Sequence, residues 1–174
     1  MKAEFLRFKF SYVIIPFIIL AISIIIAAIF YSRLPAEVVY SFDLHGAPVG
    51  SASKGGTTAL FLGLELAVLL LSALVIWSFT RISAFNKNRD DYWFNPEKVL
   101  ALMGNMPGII QIILAYAFVD MIIYNINQSH VIALWLFSVL ALVIGGIISL
   151  VYALPIIRQA WQGFNGTQGT SKKE

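Results

Sequence analysis

The chain has 174 residues, 59% of them hydrophobic and 12% charged, whereas an ordinary soluble domain is about half apolar and about a quarter charged. A soluble core of this size cannot hide so much apolar surface, so lipid is the expected solvent. The formal charge of +3 comes from Lys and Arg placed at segment ends, which sets nucleic acid aside. The absence of cysteine excludes disulfides, thiolate nucleophiles and Cys-based metal centres.

Residues 1–11 interleave Lys2, Arg7 and Lys9 with Phe5, Leu6, Phe8 and Phe10. Cations facing phosphates and rings at headgroup depth describe an interfacial lead-in. The apolar run 12–30 is too long for a signal-peptide core, and no clean A-x-A site follows, so it reads as an uncleaved first span. Pro16 falls in its first turns, where a missing N–H costs little. A polar segment, 31–56, comes next, and then a second apolar run, 57–79.

Residues 80–98 are polar. They carry opposite charges and an aromatic cluster in NRDDYWFNPEK, which reads first as an interfacial anchor and second as a docking site. Asn95 is a good N-cap, Pro96 a good first helical residue, and Glu97 suits the positive end of the dipole. A short helix from Pro96 should bend near Gly104, Pro107 and Gly108 into the third span, 106–124. The fourth span is 131–154, closed by Pro155. Ala141, Gly145 and Ser149 give it small-residue spacing for close helix packing. Residues 163–174 are rich in Gly, Thr, Ser and Lys and are expected to be disordered.

Charge sets the expected orientation. Ten of the twelve Lys and Arg lie in the N-terminal segment, 80–98 and the C-terminal segment; only Arg33 and Lys54 lie between the first two spans. By the positive-inside tendency both termini are cytoplasmic, and 31–56 faces outward. The expected fold is an all-α integral membrane protein. It has four transmembrane helices within a single unit, 1–162, with N-in/C-in topology and one structured extracytoplasmic loop.

Within that loop, LPAEVVYSFDLHGAPVGSASK has Leu34, Pro35, Val38, Phe42, Asp43, Gly46, Pro48, Ser53 and Lys54 at fixed spacing. Over residues 31–75 this resembles a bacterial membrane-protein family of unknown function, DUF1648, which includes the SdpI-like immunity proteins. The chain departs from that pattern at Val39, Ser41 and Val49, where the family favours Pro, His and an acid. The resemblance implies a bacterial cytoplasmic membrane, and a role in toxin immunity or in signalling to a repressor.

Two sets of polar residues are candidates for function. The outer-loop recognition set is Arg33, Pro35, Phe42, Asp43, His45, Gly46, Pro48 and Lys54. Asp43 and His45, with His130, are of metal-ligand type, but two residues on one loop make no site. The preferred reading is a turn in which Asp43 accepts backbone N–H bonds and Gly46 supplies a positive φ. The intramembrane set is Glu65, Asp120, Tyr116 and Ser72. An acid at the middle of a span costs roughly 2.5–3.5 kcal/mol, so Glu65 should face protein. It is either a proton-linked or ligand-binding carboxylate, or a protonated carboxyl hydrogen-bonded to a neighbouring helix. Tyr116, Asp120 and Tyr124 share a helical face, and Asp120 could reach the depth of Glu65 to form one outward-opening pocket. Asn105 and Gln111 read as interhelical hydrogen bonds.

No Ser–His–acid set, phosphate loop or helix-borne His pair is legible, so catalytic, cofactor and metal residues are not expected. The expected function is a small non-enzymatic membrane protein of accessory or immunity type. It would bind a protein or peptide partner, or a larger membrane complex, through the outer loop and helix faces, or assemble as a homo-oligomer. The alternative is a small oligomeric ion-coupled transporter or channel using Glu65.

Overall fold

The structure, a computed structural model, describes residues 7–43, 45–81 and 95–170. The start of the lead-in, most of the 80–98 segment and the last four residues lie outside the described residues.

Helix α1, Ile14–Phe30, is extended by a 3-10 turn at each end, Phe10–Val13 and Tyr31–Arg33. A hairpin follows, β1 Glu37–Phe42 and β2 Pro48–Ser53, leading directly into α2, Lys54–Arg81. Then come α3, Pro96–Asn105, α4, Gly108–Asn127, and α5, Leu134–Thr170. Among the described residues, four stretches are long and apolar enough to cross a membrane: Phe10–Arg33, Lys54–Arg81, Pro96–Asn127 and Leu134–Gln159.

The all-α expectation is corrected in the loop. Residues 37–53 form an antiparallel hairpin, with irregular register around Ser41. The physical reason is local. Val38, Val39 and Tyr40 favour the pleated surface, and the turn from Asp43 to Ala47 carries the hairpin signals of Asp and Gly. Gly46 takes a φ of +83°. The helices also outrun their expected ends. Helix α2 starts at Lys54 and α4 continues to Asn127. Helix α5 runs through Pro155 to Thr170, past both the span end expected at 154 and the disorder expected from 163. Proline removes one hydrogen bond but does not by itself end a helix in a membrane-type chain.

The third span breaks where Pro107 and its neighbouring glycines predict. Asn95 caps α3, its Oδ1 accepting from the N–H groups of Glu97 and Lys98 at 3.0 and 3.4 Å. The break lets the segment press closely on α1. Asn105 Oδ1 accepts the N–H of Ile15 at 3.0 Å, one of the first donors of α1 that have no partner within their own helix, and Asn105 Nδ2 donates to Ser11 O at 3.2 Å. Lys9 and Glu97 pair at 2.9 Å near the same junction.

Among the described residues, two apolar cores are stacked along the bundle. At the hairpin end Ala27, Leu34, Val38, Phe118, Met121 and Ile122 are buried together. At the opposite end Tyr12, Ile76 and Leu100 are buried. Helices α1, α2 and α4 enclose the middle, and α5 lies along α4 and α3. The approach of α5 uses Gly145, where a Cβ would crowd the side chain of Ile109 at 2.6 Å. One member of the small-residue stripe therefore packs within this chain.

Among the described glycines the closest approach is at Gly104. A Cβ there would overlap the carbonyl oxygen of Tyr12 and lie 2.9 Å from Ile76 Cγ1, whereas one on Gly146 would meet nothing within 4 Å. Gly104→Ala should therefore destabilise the protein by about 1–3 kcal/mol. Gly146→Ala should be neutral or slightly stabilising, since Ala is the better helix former. Thermal melting of both variants in mild detergent checks this; equal melting temperatures would contradict the packing.

Candidate functional site

The middle of the hairpin is fixed to the bundle by a side-chain amide. Asn125, on the last turn of α4, donates from Nδ2 to Val39 O at 2.8 Å and accepts the Val39 N–H at Oδ1 at 2.9 Å. A second bond from the same Nδ2 to Met121 O, at 2.8 Å, holds the amide in place. The pair of bonds to Val39 is what a third strand would offer. Below it Val38 is fully buried against the apolar core.

The tip of the hairpin is held by His130. Its Nδ1 lies 2.8 Å from Asp120 Oδ2, and its Nε2 lies 3.2 Å from the carbonyl oxygen of Gly46. Both ring nitrogens thus face acceptors, and only the imidazolium satisfies both with N–H donors. Burial of the ring opposes protonation. The Asp120 hydrogen bond, the Gly46 carbonyl and the Asp120 charge outweigh it, so His130 titrates above the ordinary imidazole value. Phe42 packs edge-on against Tyr124 and His130, with centroids 4.7 and 4.6 Å apart, and Tyr124 stacks on His130.

Asp120 and Tyr116 also organise the connection to α5. Asp120 Oδ1 accepts the N–H of Val131 at 3.1 Å. The Tyr116 hydroxyl donates to Ile132 O at 2.6 Å and accepts the Ile132 N–H at 2.8 Å, while its ring stacks on Phe137. Gln128 turns the chain there with a φ of 55°.

The turn itself is closed by Asp43, whose Oδ1 accepts from the N–H groups of His45 and Ala47, both at 2.8 Å. The Ala47 N–H is the largest influence on this carboxyl. Opposed by burial, and helped by His45, it holds Asp43 below the usual carboxylate range. His45 is exposed, and His130 is turned to Asp120 and Gly46. Among the described residues no three His, Cys, Asp or Glu gather as a metal site. Lys54 Nζ donates to Leu34 O at 3.3 Å and lies over the Tyr31 ring. Pro35 and Pro48 are exposed, Pro48 as the first residue of β2. Arg33 is exposed, with its guanidinium over Phe30.

The intramembrane set divides into two groups. Glu65 is fully buried; its Oε1 accepts from Ser23 Oγ at 2.8 Å, and its Oε2 has no partner. Gln111 Nε2 donates to the backbone carbonyl of Glu65 at 3.0 Å, leaving its own Oε1 unpartnered. Ser72 donates to Val68 O in its own helix at 2.8 Å. Asp120 lies nine residues beyond Gln111 on α4, roughly 13 Å along the axis, and is engaged with His130. The single outward-opening pocket of Glu65 and Asp120 that the sequence suggested is therefore replaced by a mid-bundle carboxyl and a separate hairpin latch. Sequence reasoning missed Asn125 and Ser23. For Asn125 the signal was present: Phe118, Met121, Ile122 and Asn125 share one helical face, but the span was ended at Tyr124.

Composition, four apolar spans and this packing fit a multi-pass membrane protein. Residues 9–64, covering α1, the hairpin and the start of α2, match the family model described as Domain of unknown function (DUF1648). No curated protein and no solved structure matches the chain.

His130 supplies a pH test. Because its folded value is raised, its contribution is complete below the ordinary imidazole value near 6.5 and is lost as pH rises through the folded value. Hairpin amide exchange should accelerate as pH is raised across that window, beyond the intrinsic base-catalysed trend. His130→Ala should remove the excess and His45→Ala should keep it. An excess that persists in His130→Ala would sink the latch.

Proposed function

We propose that the chain is a non-enzymatic membrane protein of accessory or immunity type, which binds an extended segment of a peptide or protein partner at its hairpin. It sits in a bacterial cytoplasmic membrane with both termini cytoplasmic, in keeping with ten of twelve basic residues on one side of the spans. The observation that carries the binding role is the state of the two sheet edges. Val39 directs both backbone groups to Asn125, so in the antiparallel ladder it is an outward-facing position. Its partner Ser51 must then direct its own N–H and C=O away from β1, to the uncovered side of β2. That edge is uncharged from Pro48 to Ser53, and Val49 is 69% exposed. An anchored hairpin with one capped and one open edge can accept a further strand.

The chain has no cysteine, so Val49→Cys gives a single attachment point. A membrane-impermeant crosslinker applied to intact cells should join it to one stoichiometric partner. Adding Ser51→Pro removes only the outward N–H, which an edge strand tolerates, and should abolish capture; Ser51→Ala should preserve it. Capture that survives Ser51→Pro excludes edge pairing, and failure of the reagent to reach the introduced thiol excludes the orientation.

A second reading, an ion-coupled transporter or channel functioning as an oligomer, draws on Glu65. A fully buried carboxyl with an unpartnered oxygen at the meeting of three spans has the chemistry of an ion-coupling group. It requires proton or cation flux in reconstituted vesicles that Glu65→Gln eliminates. Vesicles with no flux, or with flux unchanged in the variant, rule it out.

A further inference from the structure

Between α1 and α4, at the hairpin end, lies an open cleft of about 250 Å³. Ile26 and Phe30 form one wall and Val119 and Ile126 the other, with Arg33 and Asn127 at the mouth. Arg33 and Asn127 end their respective spans, so the mouth lies at headgroup depth and the trough runs into the hydrocarbon layer. From Arg33 to Ile26 is seven residues, roughly 10 Å, which fits within one leaflet of a core about 30 Å thick. The polar and apolar parts of the cleft therefore follow the two parts of a lipid.

The mouth has a sign. Among the described residues Arg33 has no carboxylate partner; the ion pairs there are Lys9–Glu97 and Asp120–His130. Its guanidinium rests over Phe30 at 5.5 Å from the ring centroid, beside the trough. A guanidinium is suited to bidentate contact with a phosphate, and the Asn127 amide adds a donor or acceptor for a glycerol or ester oxygen. A free anion would leave its apolar walls unused.

We infer that this cleft is a binding site for one anionic phospholipid, with an acyl chain between α1 and α4 and the phosphate on Arg33. This is independent of the partner-binding edge on β2. The test is native mass spectrometry of the full chain extracted from vesicles of equal phosphatidylglycerol and phosphatidylcholine. One phosphatidylglycerol should be retained per chain, in preference to phosphatidylcholine. Arg33→Gln should reduce that preference by about tenfold, the scale of one lost charged hydrogen bond. Ile126→Trp, which fills the trough from an exposed position, should release lipid of either headgroup. Added inorganic phosphate should not displace the lipid. Equal retention of the two lipids by the unaltered chain, unchanged preference in Arg33→Gln, retention in Ile126→Trp, or displacement by phosphate would each overturn the assignment. Unchanged melting temperatures in both variants separate loss of the lipid from loss of the fold.

Discussion

A two-stranded hairpin is marginal in water on its own, and here one amide compensates for the missing neighbour. Asn125 satisfies both backbone groups of Val39, while Val38, one residue earlier and pointing to the other face, is buried in the bundle. The alternation of a strand makes these two anchors compatible. Everything at this end follows from that fixture. It sets which edge of the sheet is closed, places Gly46 against His130, and lets β2 run directly into α2 at Lys54.

The polar latch and the apolar plug act at different levels. Val38, with Phe118, Met121 and Ile122, supplies nondirectional burial, which sets that the hairpin lies down on the bundle. Asn125 and His130 supply direction, which sets the register in which it lies. Asp120 links the two connections, since one carboxylate holds both the ring that grips the hairpin and the N–H of Val131 before α5.

The middle of the bundle is built differently. Glu65, Ser23 and Gln111 come from three helices and leave two oxygen atoms without partners. Packing alone would favour apolar residues there, because an incompletely satisfied buried polar group is costly. Helix α5 shows the opposite economy. None of its spanning window is buried, and its close approach to α4 rests on the absence of a side chain at Gly145.

Much of this architecture was legible in the residues. Run lengths and hydropathy located the four spans, because crossing about 30 Å of hydrocarbon demands some twenty apolar residues whatever the packing. Asn95, Pro96 and Pro107 marked the start and the break of the third span, since capping and proline geometry are local. Asp43 and Gly46 marked the turn for the same reason. What sequence could not supply were the pairings between distant segments. The strand and turn signals of 37–53 were local, but the docking of Val39 on Asn125, 86 residues away, had no local signal. Glu65 was recognised as needing a protein neighbour, but only the crossing of α1, α2 and α4 decided that Ser23 and Gln111, and not Asp120, would be the ones. Local rules fixed the elements; the relative rotation of the helices, set by close contacts such as Gly104 on Tyr12, decided which polar groups meet.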